Sequence, residues 1–304
     1  MALRKLTSTN AFVFVDLDDA PATGVVRRAR KILQGGAKDL ARSATYTFGA
    51  FGVERSGASA GINAEGDDIE GAIGAFVEEL TPDAAAGSLE IVPAKGVSAA
   101  QLAPLRAASP GGPLAGSADL LAAGVVTAAA WAVGGDLAGR SVAIEGEAQL
   151  PEAVRTALTD AGASVVNVWG ADEKPWLVWG ADVDVVLAGS KAGILNHQGT
   201  PAITAKAVVP WGPLPVTTKA FAQLHRAGEV TVVPDFLSTA GPLMGGLLGD
   251  DLQAASAAFT ERLISLLDDA ASDADGLLLG ACYRAEAFIA EWSGSKPFGR
   301  PLAA

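Results

Sequence analysis

Hydrophobic positions along this 304-residue chain fall into two kinds of block: short apolar runs bounded by turn residues, and longer stretches with helical spacing. Ala11-Phe-Val-Phe-Val-Asp-Leu17 alternates and predicts a strand, closed by the turn Asp18-Asp-Ala-Pro21. Val26–Leu33 fits either a strand or the entry to a helix over Ala37–Ser43, and Ala44–Phe51 follows. Gly57-Ala-Ser-Ala-Gly-Ile-Asn63 is so rich in small residues that it reads as a loop. Ile69, Ile73, Phe76 and Leu80 recur at helical spacing, so Asp67–Leu80 predicts a helix, and Leu89–Pro93 a further strand. Ser109-Pro-Gly-Gly-Pro-Leu-Ala-Gly116 is the linker candidate, and the Ala-rich helix Ala118–Val133 after it would join two domains.

From Arg140 the pattern changes to alternating strands and helices, which predicts a parallel sheet covered on both faces. Its strands are expected at Val142–Glu145, Ser164–Val168, Val183–Ala188, Ala207–Val209 and Val230–Val233, with a helix over Thr217–Ala227. A helical region over Leu252–Ser293 breaks near Ser272–Gly276. The expected division is 1–115, an α/β dimerisation or substrate-type domain; 116–250, a Rossmann-like doubly wound domain; and 251–304, a helical C-terminal region. Ser141–Trp169 in particular reads strand, tight turn, helix, strand, the outline of a dinucleotide-binding unit. Such a turn needs three glycines, for the tight bend, for backbone approach to a pyrophosphate, and for helix–strand contact. Gly146 is the first, but Ala148 and Pro151 stand at the other two positions, and Glu147 adds a carboxylate. A diphosphate would be repelled there, while a helix N-terminus favours an anion by only about 0.3–1 kcal/mol. Gly146 is therefore read as a degenerate cofactor position that does not function.

Charge and composition narrow the field of functions. With 34 acidic residues against 22 basic ones, the net charge of −12 argues against nucleic-acid binding. Two histidines and a single cysteine, Cys282, far apart, offer neither a metal cluster nor an intramolecular disulfide. No apolar run approaches the ~20 residues of a membrane span, and the first ten residues are too polar for a signal peptide. A soluble, cytoplasmic, metal-free protein is expected. His197 and His225 lie apart from any Ser or Cys nucleophile arrangement, so hydrolase chemistry gains no support. Trp169, Trp176, Trp179 and Trp211 are read either as packing or as side chains that fill a vacated nucleotide cleft or face a partner.

Four blocks in order carry a resemblance: Ala44-Thr-Tyr-Thr47, Ser56-Gly-Ala-Ser-Ala-Gly-Ile62, Asp182–Asn196 and Val232-Val-Pro-Asp-Phe-Leu-Ser-Thr-Ala-Gly241. They resemble the M-T-x-K, G-G-G-K-G-G-I, D-V-x-x-P-C-A-x-G-G-x-I and P-D-x-x-x-N-A-G-G segments of the Glu/Leu/Phe/Val dehydrogenases, and look most like the short bacterial phenylalanine, leucine and valine enzymes. The resemblance runs from about Phe12 to Gly241 and implies their two-domain fold.

Position by position, it places the family's substrate-carboxylate lysine on Thr47 and its catalytic lysine on Ser59. The catalytic aspartate falls on Ala94 or Lys95, depending on one gap. The nicotinamide-contacting threonine falls on Leu121, the ribose-binding acid on Trp169, and the asparagine of N-A-G-G on Thr239, while the A-N-N asparagines fall near Gly212–Pro215. Neither Thr nor Ser supplies a positive charge, and losing one acid–base group costs ~10²–10⁴-fold in rate. The implied reading is a pseudoenzyme without a cofactor: a scaffold, assembly or regulatory subunit, at least dimeric, or combined with an active homologue or another enzyme. The alternatives are an active NAD(P)-dependent amino-acid or oxo-acid oxidoreductase with a remodelled site, and a small-molecule sensor.

Overall fold

The computed structural model of the chain describes residues 1–110, 117–247 and 251–303. All but the first two residues of the Ser109–Gly116 linker candidate, and three of the residues ahead of the expected boundary at 250/251, lie outside these. The chain forms two compact units. The first comprises Met1–Ala115 with Ala285–Pro301, the second Gly116–Arg284 with Leu302–Ala304. Together they are a mixed α/β architecture.

The first unit runs β1 (Ala2–Lys5), β2 (Ala11–Val15), β3 (Ala22–Ala29), α1 (Gln34–Phe51), β4 (Ser56–Asn63), α2 (Ile69–Ala85), β5 (Leu89–Pro93) and α3 (Ala103–Ala108). Its sheet has the order β1-β2-β4-β3-β5. The first two pairings are antiparallel, and β4, β3 and β5 are mutually parallel. Alternation along the strands turns Val13, Val26, Ala60, Ile62 and Ile91 to one face, where Ile73, Phe76 and Leu80 of α2 complete the core. The ambiguous segment from Val26 is a strand as far as Ala29, and the helix beyond it continues through Ala44–Phe51 to a left-handed cap at Gly52.

The stretch expected as a loop, Gly57–Asn63, is instead the buried strand β4. Its small residues are there for close approach. A Cβ on Gly57 would lie 2.0 Å from the carbonyl oxygen of Ala41 in α1, and one on Gly24 of β3 would lie 1.7 Å from the carbonyl oxygen of Ala58. Large side chains would push α1 off the sheet. The alternation that marks an ordinary strand is therefore missing.

The second unit runs α4 (Ser117–Ala132), β6 (Ser141–Ile144), α5 (Glu152–Asp160), β7 (Ser164–Val165), β8 (Val185–Ala188), β9 (Ala207–Pro210), α6 (Thr218–Ala227), β10 (Thr231–Val232), α7 (Asp235–Ser238), α8 (Gly241–Met244), α9 (Leu252–Ala271) and α10 (Leu277–Ser293), the last passing into the first unit. All five strands are parallel, in the order β10-β9-β8-β6-β7. Val186 and Val208 are buried, as expected for strands covered on both faces. The connection from β7 to β8 holds only a 3-10 turn, Pro175–Gly180, which buries Trp179. Thr217 and Asp251 cap α6 and α9 by accepting first-turn N–H bonds. No described helix is long and apolar enough to cross a membrane.

Candidate functional site

In an open parallel sheet, ligands bind beyond the carboxyl ends of the strands, where the chain switches direction across the sheet. Here that place lies between β6 and β8, because β7 was laid on one side of β6 and β8 on the other. The ladder carries one residue past β6, with the Glu145 N–H donating to the Leu187 carbonyl at 2.8 Å. The Glu145 side chain is buried. Its carboxylate accepts the backbone N–H groups of Gly189 and Ser190, each at 3.1 Å, and the Ser190 hydroxyl. Trp211, just past β9, donates its indole N–H to the Glu145 carbonyl at 3.0 Å. The crevice end is thus filled by a carboxylate, a hydroxyl and an indole from the ends of three strands.

Gly146 follows at φ 69°, ψ 37°, a left-handed bend that glycine adopts without a steric penalty. A Cβ on it would stand 2.4 Å from the Ser190 Cβ, so its open side is occupied by the chain itself. The turn then closes on itself, with Gln149 N–H donating to the Gly146 carbonyl and Leu150 N–H to that of Glu147. Glu147 pairs with Arg155 at 2.8 Å, one turn into α5. Nearby, Leu214 holds a left-handed conformation at φ 55°, and its N–H donates to the buried Asp235 carboxylate at 2.9 Å. The sequence pattern places Gly146 in this turn but marks Glu145 only as the last residue of a strand. Nothing local signals its partner, Ser190, which lies 45 residues on.

The first unit brings Thr47 and Ser59 onto adjacent elements. Gly57 N–H donates to the Thr45 hydroxyl at 2.9 Å, which ties α1 to β4 two residues before each position. Both side chains are buried. The Thr47 hydroxyl bonds to the Ser43 carbonyl one turn back, and the Ser59 hydroxyl has no hydrogen-bond partner. Lys95 is apart from them in character, exposed in the turn after β5. Thr239 is half-buried and bonds to the Asp235 carbonyl, and Leu121 is half-buried in α4. Trp169 is 94% exposed whereas Trp211 is 7% exposed, so one faces solvent and the other fills the crevice end. Glu54 and Lys191 are exposed, and no ion pair joins Lys95 to Glu54 among the described residues. His225 stacks on Phe221, and the described residues include no metal-holding group of His, Cys, Asp and Glu.

At the opposite, amino end of the second sheet, Asp184 has a structural task. Its carboxylate is held down to about 2 by the hydrogen bond from Lys206 and then by the Ser141 backbone N–H; burial opposes these, and the Ser141 hydroxyl and the Lys206 charge contribute less. In the first unit, Glu79 is likewise lowered to about 2, mainly by the Ser8 hydroxyl and then by the N–H groups of Ser8 and Thr7. These carboxylates tie segments together and hold no reacting group.

No protein-family model matches the chain, and no curated protein matches it. Solved structures do. A hetero-hexameric glutamate dehydrogenase from Thermus thermophilus, in a leucine-bound form, matches with TM-score 0.79 and 21% identity over 92% of this chain and 83% of that one. L-tryptophan dehydrogenase from Nostoc punctiforme matches with TM-score 0.68 and 20% identity over 97% of both. Glutamate dehydrogenase 2 of Plasmodium falciparum matches with TM-score 0.72 and 13% identity over 92% of this chain and 80% of that one. The chain has the fold of the Glu/Leu/Phe/Val dehydrogenases, with its Rossmann-like unit.

Proposed function

We propose that this chain is a non-catalytic, degenerate protein on an amino-acid dehydrogenase fold, acting as a scaffold, assembly or regulatory subunit. One observation carries the reading: Glu145 takes up the backbone donors at the crevice between β6 and β8. A diphosphate approaching there would compete with an internal carboxylate for the same N–H groups and meet like charge. Ser190 also stands where the backbone of Gly146 would have to be approached. These residues do not fit a dinucleotide, so no hydride-transfer step is assigned to this chain. In the first unit, buried hydroxyls at Thr47 and Ser59 supply no cation for a substrate carboxylate and no base for a proton.

The assembly part rests on the fold. The Thermus thermophilus enzyme of this fold is hetero-hexameric, which supports an oligomer here, either of this chain alone or with a second kind of subunit. The acidic chain with its single, buried cysteine suits the cytoplasm.

Calorimetric titration of the full chain with NAD⁺, NADH, NADP⁺ and NADPH tests the reading. No saturable heat is expected, and micromolar binding of any of the four would overturn it. Sedimentation velocity tests assembly: a dimer or larger species is expected, and a monomer at all working concentrations would remove the homomeric form.

A further inference from the structure

One end of the first unit's sheet carries positive charge in an otherwise acidic protein. Arg27, Arg28, Arg30 and Lys31 crowd the end of β3 and the residues after it, and β1 ends on Lys5. Where these strands meet the start of α1 there is an open cavity of about 670 Å³, lined by Lys5, Arg30 and Lys31 and by no carboxylate. Small-molecule pockets span roughly 300–1,000 Å³. The chain has 34 acidic side chains for 22 basic ones, yet Lys5 and Lys31 make no ion pair among the described residues. Arg30 has only Glu65, at 3.4 Å, with both side chains well exposed.

The cavity wall is ordered by its own bonds. Asn63 accepts the Ile32 N–H at 2.6 Å and donates to the Asn10 side chain at 3.1 Å. Apolar surface lies beside the cations, from Ile32 and Leu33, and Leu33 is 68% exposed. Leu33 also precedes α1 without a side-chain cap, and space is open around Gly35 and Gly36. The positive end of that helix adds to the field of the three cations. Charge-assisted bonds to such groups are roughly twice as strong as neutral ones.

We infer that this cavity binds a small organic anion. Its carboxylate or phosphate group is held by Lys5, Arg30 and Lys31, and its apolar body lies against Ile32 and Leu33. The inference does not depend on whether the chain is catalytic.

Calorimetry with phenyl phosphate and with benzoate, at low and at physiological salt, tests it and separates the two acid groups. Saturable binding of at least one is expected, weaker at the higher salt, with benzyl alcohol giving none. Lys5→Ala/Lys31→Ala, two changes at exposed side chains, should weaken binding about tenfold or more, as expected for loss of charge-assisted contacts. Leu33→Ala should weaken phenyl phosphate but not inorganic phosphate. The inference is overturned if neither aromatic anion binds at millimolar concentration, if the double variant binds as the parent does, or if benzyl alcohol binds equally well. Equal binding of inorganic and phenyl phosphate removes the apolar half.

Discussion

Ser59 and Glu145 occupy comparable places in the two units, one within a strand of the first sheet and the other at the end of a strand of the second. Both are buried and polar. Ser59 stands where the resemblance puts a lysine, and its hydroxyl bonds to nothing. Glu145 stands one residue before the Gly146 turn, and its carboxylate gathers three donors. At the first position a small buried side chain makes no bond of its own. At the second, a carboxylate bonded to three donors fills the end of the crevice. The difference bears on substitution: a charge introduced at Ser59 would add an atom group to a closed place, whereas opening the crevice at Glu145 first requires breaking bonds that hold the sheet end.

The largest effect expected from this contrast is at Glu145. Glu145→Ala would leave the N–H groups of Gly189 and Ser190 without their acceptor and release the Ser190 hydroxyl. Hydrogen bonds to a charged group contribute about 1.5–3 kcal/mol, and stranding the donors adds to the cost. A loss of about 2–3 kcal/mol in urea unfolding is expected, with Glu145→Gln intermediate because its amide oxygen still accepts. A loss below about 0.5 kcal/mol, the scatter of ordinary surface changes, would show that the plug contributes nothing and would dissolve the contrast.

The acid limb of stability sharpens it next. Asp184 has a reference value of 3.8 and lies at about 2 in the fold. A depressed carboxylate contributes its stability above the unfolded value and loses it as pH falls through the folded one. Its contribution should therefore be complete above 3.8 and fade toward about 2. Asp184→Asn should lower stability at neutral pH and flatten this part of the acid limb, read by thermal unfolding across pH. An acid limb of unchanged slope in the variant would place the transition elsewhere. Glu79 titrates over a neighbouring range, so the double variant with Glu79→Gln should flatten the limb further.

How much of this could be read from the sequence depended on how local the cause was. Three of the five strands of the second sheet are legible because Val142–Ile144, Val185–Ala188 and Ala207–Val209 are apolar runs between turn residues, a signal held within each segment. Strand β4 is not, because its small residues answer to Ala41 in α1 and to Gly24 in β3. Tryptophans show the same limit: Trp169 and Trp211 are the same residue in similar glycine-containing loops, and only the fold sends one to solvent and the other into the crevice. Thr47 and Ser59 are singled out through their place in family-like blocks, and the structure puts them, both buried, on the adjacent elements α1 and β4. The task of Glu145 is not legible, since its donors arrive from β8.

The smallest effect tests the silent side of the comparison. Ser59 lies in β4 opposite Phe14 of β2 and Val25 of β3, and its hydroxyl has no partner. A buried hydroxyl without a hydrogen bond is a cost to the fold, because it gave up water and gained nothing in return. Ser59→Ala removes that cost and leaves a void of only one oxygen atom. Stability should therefore stay level or rise by up to about 1 kcal/mol, the opposite sign to Glu145→Ala. A drop of more than about 1 kcal/mol in the same urea series would mean that the hydroxyl is engaged in the folded protein, through a bound water or ligand. The first unit would then retain a polar site at this position, and the two sheets would differ less than their geometry indicates.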